Sequence, residues 1–114
     1  MSASNQLETD LLKLFSQNID MANVGDAGGL LGSVADGNLY ISLHSADPGE
    51  SGLQDTSEAT FTNYARVAVP RDNTKWDVTN NVASNILSIV FPTAGSSQTI
   101  THFGIGLGSS GATK

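Results

Sequence analysis

The feature that most constrains this chain is a period of two that begins at Asn38 and is cut short by a turn. Leu39, Ile41 and Leu43 fall on one side of an extended segment, and Tyr40, Ser42 and His44 on the other. Asp47-Pro48-Gly49 then supplies a local side-chain acceptor, a fixed φ and a residue that tolerates positive φ. The same grammar recurs downstream. Over 63–70, Ala65, Val67 and Val69 alternate with Tyr64, Arg66 and Ala68 until Pro70, which cannot donate to a ladder. Trp76 and Val78 mark a short third strand, and Asn80-Asn81 can turn it into a longer one spanning 82–91. Apolar residues on both faces of 82–91 predict a central strand. A last strand is expected over 99–107, with Phe103, Ile105 and Leu107 on one face and His102, Gly104 and Gly106 on the other.

Short strands separated by turn residues, with no βαβ rhythm, predict a mainly β fold: a small antiparallel β-sandwich or partly open barrel. One α-helix precedes it. Asn5 with Glu8 has capping-box spacing, and Leu7, Leu11, Leu14, Phe15 and Asn18 recur at helical intervals, widened by Leu12 and Ile19. The sequence predicts a helix over 5 to about 20 that covers a sheet or serves as a docking arm. Residues 21–37 hold five glycines and no period, so they read as a loop. The expected organisation is a single domain: helix and Gly-rich arm over 1–37, β domain over 38–114.

At 114 residues there is room for one core. The formal charge of −6 argues against a nucleic-acid surface, which needs Lys and Arg to neutralise phosphates. There is no cysteine, which removes disulfides and thiol chemistry. No apolar run approaches the roughly 20 residues of a membrane span, and no signal peptide is evident, so synthesis and retention in a cytoplasm are expected. Gly, Ser, Thr and Asn make 45 of 114 residues while charged residues make 14%. Such an uncharged polar surface suits burial against neighbouring subunits, because desolvating hydroxyls costs less than desolvating charges.

Candidate chemistry is thin. His44 and His102 could meet if their strands were neighbours, with Asp47 or Glu50 completing a metal site, but the spacing fits no ligand motif. Asp47, Glu50, Asp55 and Glu58 lack the alternating ligands and fixed glycine of a calcium loop and read as a solvated acidic loop. Residues 21–37 carry no lysine for a phosphate cradle. Gly104-x-Gly106-x-Gly108 ends a strand rather than opening a helix, so close backbone packing explains it better than a dinucleotide. No Gly-x-Ser-x-Gly elbow occurs. The expectation is a non-enzyme with no cofactor and no bound metal. Residues 1–58 carry nine acids against Lys13, whereas 59–114 carry two acids against four bases. That asymmetry could steer contacts between subunits.

Five ordered blocks carry a family resemblance: Leu39-Tyr-Ile-Ser-Leu-His-Ser-Ala-Asp-Pro-Gly-Glu50, Tyr64-Ala-Arg-Val-Ala-Val69, Trp76, Ile89-Val-Phe-Pro92 and Thr101-His-Phe-Gly-Ile105. Over residues 39–107 and the leading helix, the chain resembles a family of small tailed-bacteriophage virion proteins, tail-fibre or tail-associated. The resemblance implies a structural subunit of the virion, assembled in the host cytoplasm and brings no catalytic residue with it. Either a capsid decoration (cement) protein or a small tail component is implied, with an isolated globular domain leaning to the head. The expected partners are the major capsid protein or tail proteins and further copies of the chain, without nucleic acid or membrane. The alternative is a receptor- or glycan-binding module of a tail tip, stacking sugars on Tyr40, Tyr64 or Trp76. Tyr64, Arg66, Trp76, Leu11 and Phe15 are the expected contact residues, Tyr64 and Arg66 as a stacked or cation–π pair. The family pattern continues in strand-like fashion past Gly111, whereas here Gly108 to Lys114 is a Gly/Ser-rich tail; either a further element of the chain completes the domain or a partner supplies a strand to an open edge.

Overall fold

In the computed structural model, which describes residues 3–114, the chain runs α1 (Asn5–Gln17), β1 (Asn38–His44), β2 (Val67–Pro70), β3 (Trp76–Thr79), β4 (Val82–Asn85) and β5 (His102–Gly106). Among the described residues the fold is mainly β, with five strands in two antiparallel sheets and one N-terminal helix, and the sheets do not close into a barrel. The chain divides into two compact units. One holds the chain up to Gly37 together with Pro70–Ser88, and the other holds Asn38–Val69 with Ile89–Lys114.

In the first unit, α1 packs on the β3–β4 hairpin. The helix starts at Asn5 as expected, but its cap is one residue earlier than the Asn5 cap read from the sequence. Ser4 is the N-cap, its hydroxyl accepting from the Leu7 N–H at 3.3 Å. The helix stops at Gln17, where Asn18 takes the left-handed conformation (φ 56°) and Ile19 N–H reaches back to the Lys13 carbonyl. Arg71 seals that end, with Nε donating to Phe15 O and Nη2 to Leu14 O, both at 2.6 Å. The Gly-rich 21–37 segment is a loop, held by the Asn18 side chain, which accepts from Ser33 N–H, and by a Met21–Leu30 bridge. Trp76 and Val78 face the core. Asn80 and Asn81 both have positive φ, at 51° and 61°, as the tight β3–β4 turn requires.

The long central strand expected over 82–91 is not formed. Val82–Asn85 pairs with Trp76–Thr79, and Ile86 N–H makes one more bond to Lys75 O. The partner then runs out, because residues 72–75 are a turn, with Lys75 and Trp76 N–H both returning to Asp72 O. Ile86, Leu87 and Val90 are consequently exposed.

In the second unit the sheet order is β2-β1-β5, with β5 at an edge. β1 matches its expected span. Antiparallel register sets Ser42 against Gly104 and His44 against His102. The strands expected over 63–70 and 99–107 are shorter: Asn63 has φ 72° inside a turn, and Thr101 N–H bonds to His44 O outside the regular ladder. The acidic segment after Asp47-Pro48-Gly49 is only partly a solvated loop. Ser45 and Ala59 N–H pair with Ser57 O and Leu43 O, so its end lies along β1, with Gln54 and Ala59 buried.

Candidate functional site

The polar face of β1 is built for enclosure. Ser42 and His44 are 0% and 1% exposed. The Ser42 hydroxyl lies 2.9 Å from His44 Nε2, and His44 Nδ1 lies 2.8 Å from Thr56 O. With Nδ1 protonated the ring donates to Thr56 and accepts from Ser42, and both nitrogens are used. Serine, histidine and an orienting acceptor resemble nucleophilic machinery, but the strand opposite seals them. A Cβ on Gly104 would come within 2.9 Å of both His44 Nε2 and Ser42 Oγ, and one on Gly106 would overlap the Gln54 amide. The glycine alternation on β5 is therefore the space filled by Ser42, His44 and Gln54, which is the close packing expected of it. β1 and β5 do set His44 against His102, yet His44 has no free nitrogen for a metal.

Beside this face, Glu58, Tyr64 and Arg66 form one cluster. Arg66 grips Glu58 with two parallel bonds, Nε–Oε1 at 2.6 Å and Nη2–Oε2 at 2.7 Å. The Tyr64 hydroxyl donates to Glu58 Oε1 at 2.7 Å and accepts from Leu43 N–H at 3.0 Å. Burial pushes the Glu58 carboxyl up, but the bonds from Arg66 and Tyr64 together hold it below its ordinary 4.5. Burial, reinforced by the carboxylate beside it, raises the Tyr64 phenol to about 12. Arg66 also donates to Gly108 O at 2.9 Å and Gly111 O at 2.8 Å, so it ties down the Gly/Ser-rich segment. Thr113 O accepts from Gln54 N–H, and Lys114 O from Leu107 N–H.

These contacts place the residues expected to meet partners. The Arg66 side chain is 2% exposed and bound within the chain, and Tyr64 pairs with it through Glu58 rather than by ring stacking. Tyr64 instead stacks on Phe91 and meets Phe61 edge-on. Trp76 is buried, its indole N–H without a partner. Leu11 and Phe15 are 46% and 47% exposed. Leu7, Leu11 and Phe15 line one outward face of α1, with Ile19 exposed just beyond its cap, while Ser16 is the buried position. On β5, Phe103 and Ile105 are 71% and 47% exposed. An open hollow of ≈ 560 Å³ is lined by Phe61, Ser96, Gln98 and Ile100 among others.

The family described as Podophage GP4 fiber I protein gp80 matches residues 2–113. The chain belongs to that family. The match spans both compact units and supports a phage tail-associated origin for the sequence blocks noted above. Comparison with curated proteins and with solved structures gave no match. For this gp80-family chain the exposed apolar faces are the distinctive surface, since the polar clusters are consumed internally. Of the residues expected to make contacts, Leu11 and Phe15 are the ones left exposed. Sequence reading missed the use of Glu58, for which Tyr64 and Arg66 at adjacent same-face positions were the available signal.

Proposed function

We propose that this gp80-family chain is a non-enzymatic structural subunit of a podophage fibre assembly, working through contacts with other virion proteins. The observation that carries the reading is the outward apolar face of α1: Leu7, Leu11 and Phe15 stand exposed along one side of a helix whose opposite side rests on its own hairpin. A helix on the surface of a self-contained globular protein turns its apolar stripe toward the core; leaving it in water is the signature of a surface awaiting a partner. The absence of catalysis is supported by the sealed Ser42–His44 pair and by the saturation of Glu58 within its cluster. The family's description favours the fibre over capsid decoration.

Quantitative mass spectrometry of purified particles, with immunogold labelling, tests this. A few copies per particle with label on the tail is the expected result; hundreds of copies over the head would replace it with the decoration reading. Leu11→Asp with Phe15→Asp should abolish incorporation while leaving the isolated protein folded. The hollow beside Phe61 supports a glycan-binding reading better than Trp76 or Tyr64, which are occupied within the fold. Perturbation of Phe61 signals by glucose or N-acetylglucosamine in NMR would favour it, and silence would remove it.

A further inference from the structure

We propose that the free edge of β5 is a homomeric interface, in which two copies of this chain join β5 to β5 antiparallel, with a two-fold axis through Gly104. The surface is distinct from the α1 face and the proposal does not depend on where the subunit sits in a particle.

The geometry begins with ladder parity. Leu43 directs its N–H to Tyr64 Oη and its carbonyl to Ala59 N–H, both away from β5. Along antiparallel β1 and β5, residues alternate between facing the partner strand and facing away. Phe103, opposite Leu43, and Ile105, opposite Ile41, therefore point their N–H and C=O groups out of the sheet edge. The open stretch is bounded at both ends. Thr101 N–H is turned inward to His44 O, and Leu107 N–H is already taken by Lys114 O.

Pairing this short edge with its own copy about Gly104 sets Phe103 against Ile105 of the second copy, and Ile105 against Phe103. Both are outward-facing positions, so each pair exchanges two backbone hydrogen bonds. The two exposed side chains also become cross-strand neighbours on one face, an aromatic beside a β-branched residue, among the more favourable pairings. The edge is thus self-complementary in length, bonding and side chains.

Charge selects a second copy as the occupant. The chain carries −6, so copies repel wherever their acids approach. Residues 78–114 contain no Asp or Glu, and Lys114 is their sole Lys or Arg. β5 lies within that neutral third. A positively charged partner would be drawn to the acidic stretch instead. Nor does the edge carry the usual guards against strand pairing: from Thr101 to Leu107 there is no Lys, Asp, Glu or Pro.

The full-length protein tests the proposal by sedimentation and by cross-linking. Wild type should sediment as a dimer. Ile105→Lys should weaken association by roughly tenfold or more, and Ile105→Pro, which removes an outward donor without touching a bond to β1, should do the same. Circular dichroism separates loss of pairing from loss of fold. The chain has no cysteine of its own, so a mixture of Phe103→Cys and Ile105→Cys proteins should form a disulfide between them readily, and each alone poorly. A monomeric wild type, a trimer, or a dimer unaffected by both Ile105 variants would overturn the proposal. So would efficient cross-linking of Ile105→Cys to itself.

Discussion

Replacing Arg66 with Met tests how the second unit holds together. The substitution keeps most of the apolar stem and removes the guanidinium, stranding a Glu58 carboxylate whose side chain is 16% exposed. Breaking a buried ion pair from one side costs about 3–5 kcal/mol. Glu58 retains its Tyr64 bond and some water, so the lower end, about 3 kcal/mol, is the expectation at pH 7. The Gly108 and Gly111 carbonyls lie near the surface and can recruit water, so they add little. Against a total stability of about 5–15 kcal/mol for a domain, that loss is large.

The assay is urea unfolding at pH 7, combined with hydrogen exchange read by mass spectrometry. Exchange in 38–69 and 89–114 should rise by about two decades, while Trp76 fluorescence reports the other unit. Glu58→Leu on the Arg66→Met background should recover much of the loss, because an apolar pair leaves no uncompensated charge. The advantage of wild type should also shrink in acid. The Glu58 value is depressed by folding, so its contribution is complete above 4.5 and fades as pH falls through the lower folded-state value. A coupling between the two positions below about 0.5 kcal/mol, the range of an exposed ion pair, would refute this account of the cluster.

Three further outcomes follow from the same geometry. Tyr64 favours its neutral form in the fold, so stability holds below pH 10 and falls as pH rises toward about 12; Tyr64→Phe should flatten that alkaline slope in unfolding midpoints measured across pH. Gly104→Ala forces a methyl within 2.9 Å of two buried polar atoms and should cost about 1–3 kcal/mol in urea, and a neutral result would mean the Ser42–His44 face is loosely packed. Arg71→Met removes the guanidinium from the Leu14 and Phe15 carbonyls and should cost about 1–2 kcal/mol, with faster amide exchange confined to the last turn of α1.

How far the sequence foretold this follows from the range of the forces involved. β1 was legible because alternation and the Asp47-Pro48-Gly49 turn are local, and Asn80-Asn81 announced its turn for the same reason. The 82–91 strand was over-extended because strand length depends on a partner, and the partner ended at Trp76. The apolar stripe of α1 was read correctly as a stripe, but a period cannot say which side a helix turns inward. Thr9 bonded to Asn81 and Gln17 bonded to the Trp76 carbonyl fix that choice, and both bonds span more than 50 residues. The Glu58–Arg66 fork was hidden by context: a glutamate in an acidic run looks solvated until Arg66, just before β2, comes beside it.

The two arginines show what is left over for contact. Arg66 is spent on Glu58 and the carbonyls of Gly108 and Gly111, and Arg71 on the helix end and its loop. Positive charge beyond these rests on Lys13, Lys75 and Lys114, against eleven acids in the chain. A subunit of this charge cannot hold like copies together by ion pairing; apolar and backbone groups must do it. Each unit offers such a surface, Leu11 and Phe15 on α1 in the first and Phe103 and Ile105 on β5 in the second. If β5 joins copies and α1 meets a different virion protein, disrupting one should leave the other intact. Ile105→Lys would then yield monomers that still attach through α1, and the Leu11→Asp, Phe15→Asp protein would dimerise yet fail to incorporate. Loss of both properties in either variant would mean that the two faces act as a single interface.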